Sequence, residues 1–194
     1  MKILRTGKKN LQEITKEILE GAIIVFPTDT VYGMICDATN KKSVLRIFKI
    51  KERPNKKVFS VLLPDIKTAK KFAVIPARKD KLLKDNKITG IFKAKKQAKK
   101  IFPAGAIGKD GKIGIRIPKY KLIEELFKKT ERPLIGTSAN ISGLPSTTKI
   151  KKVINQFKNR KALPDFIFNA GNLKEANPST VIDLTVNKFK IIRK

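Results

Sequence analysis

The sequence predicts an α/β protein built on one twisted, mixed β-sheet. Short apolar runs typical of buried strands, such as residues 22–26, alternate with segments whose apolar residues recur at helical spacing, such as residues 11–19. The segments do not keep a strict strand–helix–strand order, which favours a mixed sheet over a purely parallel one. No internal repeat or low-complexity linker divides the 194 residues, so we expect a single domain over 1–194.

The elements of the first half are bounded by capping residues. Asn10 is the expected N-cap of the first helix and Gly21 its C-terminal stop, and Asn40 is the expected cap of the second. Asp65 begins a basic helix, and Pro76 begins another. The predicted strands are 2–4, 22–26, 31–36 and 58–63, and the predicted helices are 11–19, 41–48, 65–72 and 76–83.

The second half contains a less regular middle followed by further strands and helices. Residues 84–112 combine one predicted strand with a lysine-rich stretch and a glycine-bearing loop at 104–111. The predicted strands are 88–92, 113–117, 134–136, 166–168 and two final strands around Val181 and Phe189. Helices are predicted at 122–127 and 150–157 from their apolar spacing.

Composition limits the classes of function. The net charge is +29, so the chain is expected to attract polyanions such as nucleotides and RNA. Histidine is absent, which excludes histidine relays, Ser-His-Asp triads and histidine-ligated metals. The lone Cys36 predicts an inert core thiol in a reducing compartment. No signal-peptide core or membrane-length apolar run is visible, so we expect a cytoplasmic protein that does not contact a membrane.

Three polar side chains stand between two apolar runs that both read as core strands. Thr28, Asp29 and Thr30 place two hydroxyls and a carboxylate where hydrogen-bond partners are required. A turn whose side chains satisfy their own backbone explains them, and so does a ligand site. The residues by themselves favour the turn, and they leave the role of Asp29 open.

Two pairs of polar residues have a spacing of two. The residue before Pro54 is expected to be extended, so Lys51 and Arg53 would project from one side of the backbone and suit a triphosphate or a carboxylate. Both could equally be surface charges. Ser138 and Asn140 follow a predicted strand, where they would either approach a ligand together or form a cap or turn.

Other polar positions carry further expectations. Arg116 is the only charge within residues 113–117, and a cation in a strand core usually meets an anion. Ser179 and Thr180 form a second pair of hydroxyls at a strand start. The sequence contains no Walker loop, no GxGxxG fingerprint and no cluster of carboxylates, so any Mg²⁺ is expected to be held by a substrate.

Five motifs occur in an order that is more specific than any one of them. They are Pro27–Gly33, Lys51–Pro54, Gly114–Pro118, Thr137–Gly143 and Pro178–Asp183. In this order the sequence resembles the YrdC-like threonylcarbamoyl-AMP synthase family. The resemblance implies a twisted α/β sheet with a concave, basic face. It also implies a nucleotidyltransferase that converts L-threonine, bicarbonate and ATP into threonylcarbamoyl-AMP and pyrophosphate for tRNA modification.

The resemblance also implies roles for individual residues. The catalytic positions would be Lys51, Arg53, Ser138 and Asn140, and the L-threonine contacts would be Thr30, Arg116 and Ser179. The ATP contacts would be Arg53, Lys57, Asn140, Thr148 and Arg193. Mg²⁺ would arrive with ATP, without a resident metal site. The implied partners are a downstream tRNA threonylcarbamoyl transferase machinery and, by direct contact, tRNA or double-stranded RNA.

Two departures and two alternatives accompany the resemblance. The family's Trp-Pro-Gly-Pro-Leu-Thr element corresponds here to residues 84–89, of which only Thr89 is retained, and a small hydroxyl of the family is replaced by Lys112. We expect both departures to lie in a wall of the pocket. The alternative functions are a non-catalytic RNA-binding protein of the same fold and a related carbamoyl-transfer module acting on another acceptor.

Overall fold

In the computed structural model, a large mixed sheet of eleven strands organises the chain and confirms the predicted α/β class. The structure describes residues 1–53, 58–85, 87–186 and 189–193. In chain order the strands are β1 Lys2–Arg5, β2 Ile24–Phe26, β3 Gly33–Asp37, β4 Ser60–Leu62, β5 Ala73–Val74, β6 Ile88–Ala94, β7 Lys112–Arg116, β8 Leu134–Ser138, β9 Phe166–Asn169, β10 Thr180–Asp183 and β11 Lys190–Arg193.

Helices connect most of these strands. They are α1 Lys8–Leu19, α2 Lys41–Ile50, α3 Ile66–Phe72, α4 Ala77–Asp80, α5 Lys96–Ile101, α6 Lys121–Thr130 and α7 Ile150–Phe157, and a 3₁₀ turn covers Lys81–Lys84. No helix in the described part of the chain is long and apolar enough to cross a membrane.

The strand order brings distant parts of the chain together. The order is β1-β9-β2-β3-β8-β4-β7-β6-β10-β11, and β5 pairs with β6. Parallel pairs such as β4 with β7 and β6 with β10 occur beside antiparallel pairs such as β3 with β8 and β6 with β7. The sheet therefore places segments from both halves of the chain on neighbouring strands.

Two hydrophobic cores lie on opposite faces of the central strands. Ile24 and Phe26 pack into the core formed with α1 and α6, whereas Val25 packs into the core formed with α2, α3, α5 and α7. The alternation continues on β3, where Ile35 joins the first core and Met34 the second. Successive side chains of a strand point to opposite faces, so strands covered on both faces appear in the sequence as continuous apolar runs.

The predicted helix starts were correct at two positions and wrong at one. The Asn40 side chain accepts a hydrogen bond from the Ser43 amide at 3.1 Å and caps α2, and Asp65 caps α3 in the same way. The first helix instead begins at Lys8 after Gly7, and the Asn10 amide donates to the Arg5 carbonyl at 2.8 Å. The cap predicted for Asn10 was therefore wrong.

Three further differences from the predicted elements have local causes. The lysine-rich stretch forms α5, which buries only Ala98 and ends in an exposed isoleucine, so its sequence lacks the apolar spacing of a buried helix face. The helix predicted from Pro76 divides into α4 and a 3₁₀ turn, and Leu83 is its buried residue. The strand predicted over 31–36 begins only at Gly33. Cys36 is buried as expected, and burial raises the pKa of its thiol.

The Asn40 cap should contribute measurably to stability. Replacing Asn40 with Ala leaves the amide of Ser43 without its side-chain acceptor and should lower the free energy of unfolding by about 1 kcal/mol. Urea denaturation of Asn10→Ala provides the matched control, because that asparagine does not cap its helix. An equal loss in both variants would contradict this assignment.

Candidate active site

The polar turn after β2 is held by its first threonine. The Thr28 hydroxyl accepts from the Thr30 amide at 3.1 Å and donates to the Val31 carbonyl at 2.7 Å. The self-satisfied turn expected from the residues is therefore present. It leaves the side chains of Asp29 and Thr30 to contact a strand that lies far along the chain.

Asp29 and Arg116 form a buried ion pair. An Arg116 Nη2 atom donates to Asp29 Oδ1 at 2.6 Å, and Nη1 donates to the Thr30 hydroxyl at 3.3 Å. The side chains of the pair are 6% and 10% exposed, for Asp29 and Arg116 respectively. Burial lowers the pKa of the Arg116 guanidinium, and the Asp29 carboxylate opposes that shift. The anion expected near Arg116 is thus Asp29. The structural role of Asp29, which the sequence left open, is to pair with this arginine.

A cavity of about 290 Å³ opens over this turn. Its lining consists of Thr28, Asp29, Thr30, Lys87, Tyr120 and the loop residues 173–176. The volume is close to the lower limit, about 300 Å³, of pockets that hold small molecules. A metabolite about the size of an amino acid suits this cavity better than a nucleotide does.

The hydroxyl of Ser179 belongs to a second polar group on the neighbouring strands. The hydroxyls of Ser179 and Thr89 lie 3.0 Å apart, and Arg193 donates to the Ser179 carbonyl at 2.8 Å. β6 runs antiparallel to β7 with Gly90 opposite Ile115, which places Thr89 beside Arg116. Thr89, the residue retained from the altered middle element, therefore lies next to two predicted site residues, Arg116 and Ser179.

Lys51 fixes the loop that follows β8. Its ammonium donates to the Ser138 carbonyl at 2.6 Å, the Asn140 carbonyl at 2.7 Å and Asn140 Oδ1 at 3.0 Å. Its own carbonyl accepts from the Ser142 amide at 2.8 Å. A lysine ammonium has three protons, so these contacts use its full donor capacity. Lys51 is only 2% exposed, so it holds this loop from the interior of the protein.

The backbone reason given for pairing Lys51 with Arg53 was wrong. Lys51 has helical angles of φ −81° and ψ −6° at the end of α2, and Glu52 has a positive φ of 50°, so the segment is not extended. The charge of Arg53 nevertheless acts on Lys51. Burial, followed by the charges of Arg53 and Arg193, lowers the pKa of Lys51 to about 7.

Arg53 occupies a half-buried position with spare donor capacity. Its Nη2 atom donates to the Val58 carbonyl at 3.2 Å, and its guanidinium lies 5.0 Å from the centre of the Phe59 ring. The Nε atom is buried and has no hydrogen-bond partner within the described part of the chain. Burial and the charge of Arg193 lower the pKa of Arg53. Lys51, Arg53 and Arg193 thus form a cluster of cations that suits a polyphosphate.

The side chains of Ser138 and Asn140 lie together and contact each other. The Ser138 hydroxyl donates to Asn140 Oδ1 at 2.6 Å, and the Asn140 amide donates to the Ile141 carbonyl at 3.0 Å. The asparagine side chain therefore shapes the loop, whereas the serine oxygen keeps capacity to accept a hydrogen bond.

The remaining predicted residues differ in position. Thr148 is buried, and its carbonyl accepts from the Leu173 amide at 3.0 Å at the rim of the cavity. Lys57 lies outside the described residues. Lys112, which replaces a small hydroxyl of the family, lies on β7. It donates to Asp183 Oδ2 on β10 at 2.9 Å, so this ion pair links the two strands. Of the two departures, the altered middle segment is the one that contributes to the cavity wall, through Lys87.

Tyr32 links three segments of the site, and the sequence did not single it out. Its hydroxyl donates to the Gly171 carbonyl at 2.7 Å and accepts from the Ala170 amide at 3.0 Å. Its carbonyl accepts from the Ala139 amide at 2.8 Å. Burial raises the pKa of Tyr32. The available signal was a tyrosine within an apolar run, because a buried hydroxyl needs a partner.

The arrangement as a whole offers two adjoining binding environments. One is the cavity with the Asp29–Arg116 pair, and the other is the cation cluster beside the loop after β8. Among the residues that the structure describes, no three acidic or sulfur-bearing side chains lie close enough to hold a metal ion.

Comparison with known proteins identifies the relationship. Residues 16–194 match the family model Sua5_yciO_yrdC, described as "Telomere recombination". A protein of Methanocaldococcus jannaschii, provisionally named threonylcarbamoyl-AMP synthase, is 36% identical over 190 residues, which are 96% of this chain and 86% of that protein.

Two solved structures resemble the fold. P. abyssi Sua5 complexed with L-threonine has a TM-score of 0.86 and 27% identity, and the match covers 99% of this chain and 56% of that one. This chain therefore spans only a little over half the length of that protein. E. coli YciO has a TM-score of 0.83 and 22% identity over 100% of this chain and 94% of its own, and so supports the fold.

Removing the Tyr32 hydroxyl should loosen the rim of the cavity. The substitution Tyr32→Phe leaves the Ala170 amide and the Gly171 carbonyl without their partner, so the free energy of unfolding should fall by about 1–3 kcal/mol. Hydrogen exchange of the Ala170 amide should become faster. Tyr120→Phe is the control, because the Tyr120 hydroxyl has no hydrogen bond to the described residues. Unchanged exchange at Ala170 would contradict the linking role of Tyr32.

Proposed function

The chain belongs to the Sua5/YciO/YrdC family, and we propose that it is an L-threonylcarbamoyladenylate synthase, a nucleotidyltransferase acting on L-threonine, bicarbonate and ATP. The observation that carries this proposal is a cavity with a buried pair of opposite charges beside a separate cluster of cations. The first environment suits a zwitterionic amino acid and the second a triphosphate.

L-Threonine would occupy the cavity. Arg116 is the partner for its carboxylate, because a guanidinium presents five donors in one plane, in a geometry that matches a carboxylate. The hydroxyls of Thr30 and Ser179 would contact its polar groups. The complex of P. abyssi Sua5 with L-threonine supports this choice of substrate.

ATP would lie beside the cavity with its phosphates on the cation cluster. Arg53 and Arg193 would contact the phosphates directly, and the partnerless Arg53 Nε is an available donor. Lys51 would add its charge and hold the loop that carries Ser138 and Asn140. Lys57 and Thr148 complete the proposed nucleotide contacts. Mg²⁺ would enter as the complex with ATP, and the predicted concave, basic face would carry both substrates.

The reaction requires no covalent intermediate on the protein. The threonine ammonium first loses a proton to solvent, and the neutral amine then attacks bicarbonate, which yields the carbamate with loss of water. A carbamate oxygen then attacks the α-phosphate of ATP and expels pyrophosphate. The protein would lower the barrier by holding the two anions in line and by placing cations where charge develops on the phosphates. The lack of histidine and of an exposed cysteine is compatible with this chemistry.

The product would supply the threonylcarbamoyl group for modification of tRNA by a downstream transferase machinery. Direct contact with tRNA or double-stranded RNA is a separate part of the proposal, supported by the net charge of +29. That charge also favours the second candidate function, a non-catalytic RNA-binding protein. The buried ion pair and the cavity favour the enzyme, because binding RNA through phosphates requires neither.

The enzyme should release pyrophosphate only when threonine is present. Purified protein with Mg-ATP and bicarbonate should show threonine-dependent release, and Arg53→Ala should lower kcat/KM by about 10²–10³-fold, because one cation on the phosphates is lost. Arg78→Ala is the control, since it removes the same charge from an exposed helix position. Absence of threonine-dependent release from a protein that still binds tRNA would contradict the synthase and favour the RNA-binding alternative.

A further inference from the structure

We propose that Asp29 binds the α-ammonium group of the substrate through Oδ2, so that the cavity selects α-amino acids over 2-hydroxy acids of the same shape. This assignment rests on the proposed function. It gives the carboxylate a second role besides its pairing with Arg116.

The two oxygens of the Asp29 carboxylate have different environments. Oδ1 accepts from Arg116 Nη2 at 2.6 Å. Oδ2 is buried and has no hydrogen-bond partner within residues 1–53, 58–85, 87–186 and 189–193. Buried oxygens of a carboxylate are almost always hydrogen-bonded, so a partnerless one calls for a donor that the protein itself does not provide.

The position of Asp29 shows where that donor would come from. Asp29 is part of the wall of the cavity, and its side chain is only 6% exposed. A group that enters the cavity would therefore lie beside the carboxylate, from which bulk solvent is largely excluded. The other ionisable groups of the wall are Lys87, Tyr120, Lys174 and Glu175.

The charges at the cavity floor match those of an α-amino acid. Arg116 is a cation adjacent to the anion Asp29, and threonine carries an anionic carboxylate adjacent to a cationic amine. Each substrate charge can meet its opposite when the carboxylate lies against Arg116 and the amine against Asp29. Charge-assisted hydrogen bonds of this kind are the strong ones, and they would orient the nitrogen that reacts.

A purely structural Asp29 gives a different expectation. If the carboxylate only orients Arg116, its replacement weakens every ligand that uses Arg116, with or without an amine. If Oδ2 binds the amine, its replacement weakens only ligands that have one. The comparison of two ligands therefore separates the two roles.

The test is calorimetric titration without nucleotide. L-Threonine is compared with 2,3-dihydroxybutanoate of the same configuration, in which a hydroxyl replaces the amine. The wild type should bind threonine at least about 100-fold more tightly, since sites built around a substrate's polar group reject analogues that lack it. Asp29→Asn, which keeps an oxygen for Arg116, should reduce this preference to within about tenfold. An unchanged preference would overturn the proposal.

A control variant and a crystal structure complete the experiment. Asp165→Asn is the matched control, because Asp165 also pairs with an arginine, at 2.8 Å from Arg46, and is not part of the cavity lining; its preference should equal that of the wild type. If Asp29→Asn does not fold, a crystal structure of the wild type with L-threonine decides. The amine nitrogen should lie about 2.7–3.2 Å from Oδ2, and an amine bound elsewhere would overturn the proposal.

The outcomes also separate this proposal from the function on which it rests. Threonine-dependent pyrophosphate release together with an unchanged ligand preference would overturn the role of Asp29 and leave the synthase intact. A protein that binds no threonine would overturn both.

Discussion

The buried ion pair between Asp29 and Arg116 is the interaction on which the site depends. It joins the turn after β2 to the end of β7, two segments 87 residues apart in the chain. Neither charge could remain in so protected a position alone, since removing one partner of a buried pair leaves an uncompensated charge. The pair also draws in Thr30, whose hydroxyl accepts from the same guanidinium. The threonine turn thereby serves two purposes, because Thr28 satisfies the backbone while its neighbours face the cavity.

Two other buried polar groups assemble the rest of the site around that pair. Tyr32 ties the turn to the loop after β8 and to the rim at residues 170–171, and Lys51 holds the same loop from the end of α2. Lys51 does so at a cost, because burial and two neighbouring arginines lower its pKa to about 7. An anion bound at this cluster would raise that pKa again, since an opposite charge favours the protonated ammonium. A polyphosphate bound as proposed would therefore relieve the repulsion among these cations.

The sequence supports some of these features and not others. The α/β class, the Asn40 cap and the need for an anion near Arg116 follow from apolar runs, a capping residue and a charge in a strand core, all of which are local signals. The identity of that anion, the hydrogen bonds of Tyr32 and the hold of Lys51 on its loop depend on contacts between residues 87 to 139 positions apart. Helix α5 was not predicted, because Ala98 is its one buried residue and a single alanine produces no apolar periodicity. The roles of the site residues in binding and catalysis remain predictions.

The proposed synthase joins threonine, bicarbonate and the adenylate of ATP in one product. Mass spectrometry of the nucleotide products from ¹³C-bicarbonate, L-threonine and ATP tests it most directly. We predict an adenylate that contains threonine and one ¹³C atom, in amounts equal to the pyrophosphate released. Release of pyrophosphate with AMP alone, or an adenylate without the label, would contradict the claim.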